Sequence, residues 1–308
     1  MKNILFYWIM VLLFTCFLAY PEPGYTQHKE TKQYPVREIR DGIYLIGAFG
    51  CNIAVSEGSD GLLIVDSGRE ESAETLDSVL FSSFKLTVRY VLNTHNHYDH
   101  AGGNEKFGKD GAIIAGHINC RKQMSKEWSV PEIVGIQYPT IPPYPEAALP
   151  KICFTDSLSL HFNGETIHAY HCPCAHSDAD VVYHFKNANV VHAGDFFLSN
   201  GYPIIDNFHG GSFNGILNAI GQLLSICDEQ TIIIPGHGEL SDREGLLEYR
   251  TKLAETGKRI EKLFNEGKTL EEVLEANPAR SIFNGDPSWL PPKLFVYGVY
   301  RDLSVKNK

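Results

Sequence analysis

Apolar positions recur with two periods along the chain, and the alternation between those periods predicts the architecture. Gly42–Ile46, Asn52–Val55 and Leu62–Val65 read as strands, with Gly58-Ser59-Asp60-Gly61 supplying the turn of a hairpin between the last two. Ala73, Leu76, Val79, Leu80 and Phe84 then fall at helical spacing, which predicts an amphipathic helix over 70–84. Strands follow at Leu86–Leu92 and Ile113–Ala115, and at Leu158–Phe162 and Thr166–Tyr170, the last two joined by the hairpin signal Asn163-Gly164. Further strands are predicted at Val181–Tyr183, Val190–Asp195 and Thr231–Ile234, with a helix through Ile216, Ile220 and Leu223 between the last two. Such alternation is that of a layered α/β protein with helices covering sheet faces.

Two segments depart from this rhythm. Residues 117–157 carry five prolines between Pro131 and Pro145, together with Trp128, Tyr138 and Tyr144. A long irregular segment reads either as a lid or wall of a binding site or as a surface excursion. Beyond residue 240 the pattern is helical. Ser241-Asp242-Arg243-Glu244 and Thr269-Leu270-Glu271-Glu272 both have the form of a capping box, Asn277-Pro278 is a stop, and an aromatic tail to Leu303 is expected to pack on the body.

Composition changes this picture little. The 308 residues are 43% hydrophobic and 21% charged, which suits an ordinary globular core, and the net charge of -10 disfavours a nucleic-acid partner. The N-terminus reads separately: Lys2, an apolar run from Ile4 to Ala19, and small residues before Gln27 predict a signal peptide over 1–26 and an exported, periplasmic or secreted product. An uncleaved anchor is the competing reading. The run is short for a span, and no other segment is apolar enough to cross a membrane, so no stable membrane span is expected after cleavage. Six of the seven cysteines would remain, without a familiar disulfide spacing, and Cys172-Pro173-Cys174 is too tight for a zinc pair; buried or free thiols are expected.

The chemistry collects just past the ends of strands. Thr94-His95-Asn96-His97-Tyr98-Asp99-His100 places three imidazoles and a carboxylate within six residues of each other, and Asp66, His176, Asp195 and His237 follow other apolar runs. Imidazole and carboxylate are the usual ligands of hydrolytic zinc. His95, His97 and His176 would make one site; Asp99, His100 and His237 a second; Asp195 could bridge them. Two zinc ions so placed generate hydroxide near neutral pH and polarise a substrate oxygen, with iron and manganese compatible with the same donors. The other histidines lack such partners; His171 and His209, near the presumed rim, are the two to watch.

The segment His95-x-His97-x-Asp99-His100, with His176, Asp195 and His237 in order after it, resembles the metallo-β-lactamase superfamily over roughly residues 40–265. The resemblance implies a four-layer αββα sandwich with the metals at one edge, formed by residues 27–308 as one hydrolase domain with a C-terminal helical tail. It implies the two ligand sets just given, Asp195 as the bridging carboxylate of glyoxalase-type hydrolases, and Asp66 as an acidic support behind the site. Asp195 stands where one lactamase subclass has cysteine, and Phe196-Phe197-Leu198 follows it where that subclass carries an anchoring lysine. A histidine, rather than glutamate, at His97 argues against the flavodiiron branch.

The expectation is therefore an exported dinuclear zinc hydrolase acting on a small carbonyl substrate, such as an amide, lactam, lactone or thioester. Asp99 would orient the metal-bound hydroxide and serve as the catalytic carboxylate. A true β-lactamase is the alternative, and a mononuclear iron oxidoreductase of the persulfide dioxygenase type a further one. Oligomeric state is not legible from the sequence.

Overall fold

The computed structural model of the protein describes residues 34–306 apart from 48, 200, 281 and 284–290. The signal segment expected over 1–26 lies outside the described residues. A seven-stranded sheet is laid down in chain order: β1 Val36–Arg40, β2 Ile43–Ile46, β3 Ile53–Gly58, β4 Gly61–Val65, β5 Val88–Leu92, β6 Ile113–His117 and β7 Ile152–Phe154. Its first four strands pair antiparallel through short turns, and β4 to β7 pair parallel. The second sheet holds β8 Ser157–Phe162, β9 Glu165–His171, β10 Val181–Phe185, β11 Val190–Leu198 and β12 Ile232–His237 in the order β12-β11-β10-β9-β8. Only β11 and β12 are parallel there. Parallel neighbours need crossovers. Helices α1 Ala73–Phe84, α2 Tyr98–Ala101, α3 Asn104–Lys109, α4 Ile118–Met124 and α5 Phe213–Ile226 supply them, and α6 Arg243–Asn265, α7 Leu270–Ala276 and α8 Pro292–Lys306 complete the chain.

Alternation along the strands sorts side chains into layers. Leu63 and Val65 of β4 enter an inter-sheet core with Phe185, Val190 and Ile234, whereas Leu62 and Ile64 face a second core beneath Leu76 and Leu80 of α1. Val191 and Ala193 of β11 pack in a third core with Ile220 and Leu223 of α5, Leu253 of α6 and Phe295 of α8. Because both faces of β4 and β11 are covered, every residue of each is buried. The result is the αββα sandwich that the resemblance implied, within the layered α/β arrangement that the periodicity predicted.

Differences from the sequence reading are local. The segment 117–157 is not irregular throughout: it opens with α4, whose N-cap is the His117 ring, and closes on β7, which adds an edge to the first sheet. Ser241 does not cap α6. Its backbone pairs with Ile233, and Asp242 takes the cap by accepting from Gly245 N at 2.8 Å. The capping box at Thr269 and Glu272 is complete. All six described cysteines are free thiols. No helix among the described residues is long and apolar enough to cross a membrane.

Candidate metal centre

The carboxyl ends of the parallel strands meet at one edge, and the ionisable groups collect there. Asp66 follows β4 with φ of 65°, a left-handed turn that aspartate tolerates better than most side chains. That turn sends its fully buried carboxylate under the next loop. Asp66 accepts from the Thr94 backbone N–H and hydroxyl at 2.8 Å each, and its Oδ2 lies 2.8 Å from His100 Nδ1. The loop after β5 is thereby held in one conformation, with His95 in its extended part, His97 as N-cap of α2, and Asp99 and His100 within that short helix. His176 comes from the β9–β10 connection. Asp195 and His237 lie within β11 and β12 rather than past their ends, where the parallel pairing slips register around Gly194. Gly194 has φ of 64°, and a Cβ there would come within 3.1 Å of Thr94. A methyl at Gly236 would overlap Asp195 Oδ1. Gly194 therefore makes room for Thr94, and Gly236 for the Asp195 carboxylate.

The structure brings all seven sequence-predicted donors together. His95, His97 and His176 offer donor atoms within 4.8 Å of one another, as do Asp99, His100 and His237, and as do His95, His100 and Asp195, which link the two groups. His176 Nε2 faces His97 Nδ1 at 3.0 Å, and His100 Nε2 faces His237 Nε2 at 3.3 Å. Asp195 Oδ1 is 3.0 Å from His100 Nε2, and its Oδ2 is 3.3 Å from His237 Nε2.

The far sides of the first-triad imidazoles are anchored. His176 Nδ1 bonds the Ile204 carbonyl at 2.7 Å, His95 Nδ1 meets Thr94 Oγ1 at 3.0 Å, and His97 Nε2 meets Asp206 Oδ2 at 2.8 Å. Such anchoring fixes which nitrogen is presented to the shared centre. His95 Nε2 is buried with no hydrogen-bond partner. An orphaned imidazole nitrogen, two pairs of facing imidazole nitrogens and the carboxylates of Asp99 and Asp195 suit divalent cations with nitrogen and oxygen ligands.

Electrostatics agree. Burial lowers the pKa of His95 well below its ordinary value and that of His176 to about 4, helped in both by neighbouring imidazoles, so their lone pairs are free for coordination. Burial opposes charge on His100 too, yet Asp195, Asp66 and Asp99 carry its pKa well above normal. Despite burial, His100 and His237 hold Asp195 well below the usual carboxylate range. Against its burial, His97 is likewise raised by Asp206, Asp99 and Asp195, so the carboxylates favour positive charge at the centre, which a proton or a divalent cation can supply.

Asp206 escapes sequence reasoning, and Trp128 is marked there only as part of the proline-rich segment. Asp206 is bound by His97 and also by His209 Nδ1, at 2.6 Å, which gives His209 the partner the sequence did not reveal. Its only linear signal is an acid three residues before a histidine in the loop after β11. Trp128, from the proline-rich segment, lies nearly parallel to the His97 ring at 6.4 Å and edge-on to His209 at 5.1 Å. His171 stays apart, stacked on His117 at 3.7 Å and bonded to the Asp178 carbonyl.

Comparison with known proteins gives a consistent picture. Residues 46–237 match the family model described as the metallo-beta-lactamase superfamily. The chain is 25% identical over 176 residues to a probable hydroxyacylglutathione hydrolase of Schizosaccharomyces pombe, covering 56% of this chain and 57% of that one. It thus spans little more than half that relative's length. A metallo-beta-lactamase type 2 of Bacillus cereus is 22% identical over 228 residues, 71% of this chain and 81% of its own. The solved metallo-beta-lactamase from Pontibacter korlensis superposes with a TM-score of 0.57 at 16% identity, covering 72% of this chain and 99% of that one.

Proposed function

This chain belongs to the metallo-β-lactamase superfamily, and within that family we propose that it is a metal-dependent hydrolase, a dinuclear zinc enzyme cleaving a small carbonyl substrate. His95, His97 and His176 would hold one ion, and Asp99, His100 and His237 the other, with Asp195 between them. The observation that carries this reading is the position of Asp195, whose buried carboxylate lies against the second triad and groups with His95 of the first. A metal pair lowers the pKa of a coordinated water and polarises the substrate oxygen.

The chain's own residues supply the rest. Asp99 Oδ2 lies 3.4 Å from His237 Nε2 on a side chain that keeps some exposure, so it is placed to orient an attacking water and take its proton. Asp66 and Asp206 fix His100 and His97 in the required tautomers. An amide, lactam, lactone or thioester fits such chemistry. A true β-lactamase is the second reading, favoured by the greater share of the Bacillus cereus relative that the chain spans. Export is part of the proposal and rests on the apolar run from Ile4 to Ala19.

Metal analysis and a substrate panel test it together. About two zinc ions per chain with turnover of a cephalosporin, lactone or thioester is the expected result. One iron per chain, or a strong preference for a phosphodiester, overturns it.

A further inference from the structure

Beside the metal centre a cavity of about 470 Å³ opens past His97 and Asp99, within the usual range for small-molecule sites. Trp128, Val130, Ile133 and Ile141 form one wall, and Ile204 and Phe208 the other. The first wall is a flap from the proline-rich segment, closed on itself by backbone pairing of Trp128 with Ile141 and of Ile133 with Ile136. No lysine or arginine is among the described residues that line the cavity. Its charged oxygens belong to Asp99 and Asp206, and Asp206 is committed to His97 and His209.

Helix α8, which lies beyond the segment matched to the family, fastens both walls. Lys293 Nζ donates to the carbonyl of Val134 at the flap's turn, 2.7 Å away. Arg301 sits 3.9 Å over the Phe208 ring, and Gly298 packs so closely on Ile205 that a Cβ would come within 2.8 Å. Lys293 and Arg301 are thus spent on holding the walls and are not among the residues that line the cavity. A carboxylate entering it would meet apolar side chains, two acids and two neutral tyrosines, Tyr98, whose hydroxyl is given to Glu71, and Tyr138, with no cation in the described lining to offset its desolvation.

We infer that this cavity receives the apolar arm of an uncharged carbonyl substrate, an alkyl or aryl chain of an ester, lactone or amide, and discriminates against anionic arms. The inference rests on the carbonyl-hydrolase reading and deepens it. It sets a charged thioester or a carboxylate-bearing lactam, oriented with its anion in the cavity, below a neutral alkyl ester or lactone.

Methyl acetate, methyl hexanoate, hexyl acetate and monomethyl adipate test it on the zinc-loaded protein, with acid release as the readout. Methyl hexanoate or hexyl acetate should exceed methyl acetate in kcat/KM by about fourfold per buried methylene. Monomethyl adipate should fall about tenfold or more below methyl hexanoate. In Val130→Lys that last ratio should shrink or reverse, which carboxylate binding to zinc alone would not produce. Equal constants for all chain lengths, or an adipate ester turned over as fast as the hexanoate, overturn the inference. If no methyl ester is turned over, the cephalosporin, lactone and thioester panel judges the carbonyl reading separately. Calorimetry with hexanamide and acetamide then decides the cavity: tighter binding of hexanamide, weakened in Val130→Lys, supports it, and equal or absent binding overturns it.

Discussion

Asp206 Oδ2 stands 2.8 Å behind His97 Nε2 and so determines that His97 offers Nδ1 to the metal centre. The same oxygen takes His209 Nδ1. Removing the carboxylate frees the His97 ring to turn and leaves its tautomer unset. Asp206→Ala should weaken zinc binding about 10- to 100-fold, the usual cost of losing such a partner, while circular dichroism stays native. Competition with a chromogenic chelator measures this, and an unchanged affinity would show that packing alone orients His97.

Asp99 tests the division of labour at the centre. It is partly exposed, belongs to the second triad, lines the cavity, and is placed to handle the proton of the attacking water. Asp99→Ala should reduce kcat by at least about 10²-fold and leave the fold intact by circular dichroism. Retained turnover would remove Asp99 from the catalytic role.

Gly236 offers a cleaner probe of the bridging carboxylate. A Cβ there would overlap Asp195 Oδ1, and backbone on both sides is buried. Gly236→Ala should lower the zinc content from two ions towards one per chain, because His95, His97 and His176 remain in place. Full occupancy by elemental analysis in a folded variant would contradict the assignment of Asp195.

Acid sensitivity should arise away from the centre as well. Burial lowers His117 and His184 to about 4, and neighbouring positive groups add to it. Between pH 6.5 and 4 the unfolded chain takes up these protons and the native chain does not, so stability is full above pH 6.5 and is lost as pH falls. His184→Leu should flatten the fall in urea midpoint between pH 7 and pH 5. An equally steep fall in the variant would assign the effect elsewhere.

What the sequence revealed and what it concealed divide by contact range. The residues from His95 to His100 are close in the chain, so their ligand character shows in a single line of text, and strand ends marked Asp66, Asp195 and His237. The layers followed from alternation that both neighbouring cores enforce on β4 and β11. Asp206 was hidden because its meaning depends on His97, which lies 109 positions earlier. The proline-rich segment was legible as unusual, but its cavity exists only once Trp128 stands beside His97. The cap of α6 was misread because Ser241 is drawn into pairing with Ile233, a competition no local motif announces.

At the end of the strands remote from the metal centre, Asp60 and Asn163 exchange reciprocal bonds, Asp60 N to Asn163 Oδ1 at 3.0 Å and Asn163 N to Asp60 Oδ2 at 2.7 Å. These two turns belong to different sheets, and so do the ligands: His95, His97, Asp99 and His100 follow a strand of the first sheet, and His176, Asp195 and His237 come from the second. With metal bound, the sandwich would be braced at both ends, by a turn-to-turn clasp at one and by coordination at the other. Stripping the metal would release one brace, and losing Asn163 the other. Metal affinity and the bonding of a distant surface turn would then be two halves of the same mechanical constraint.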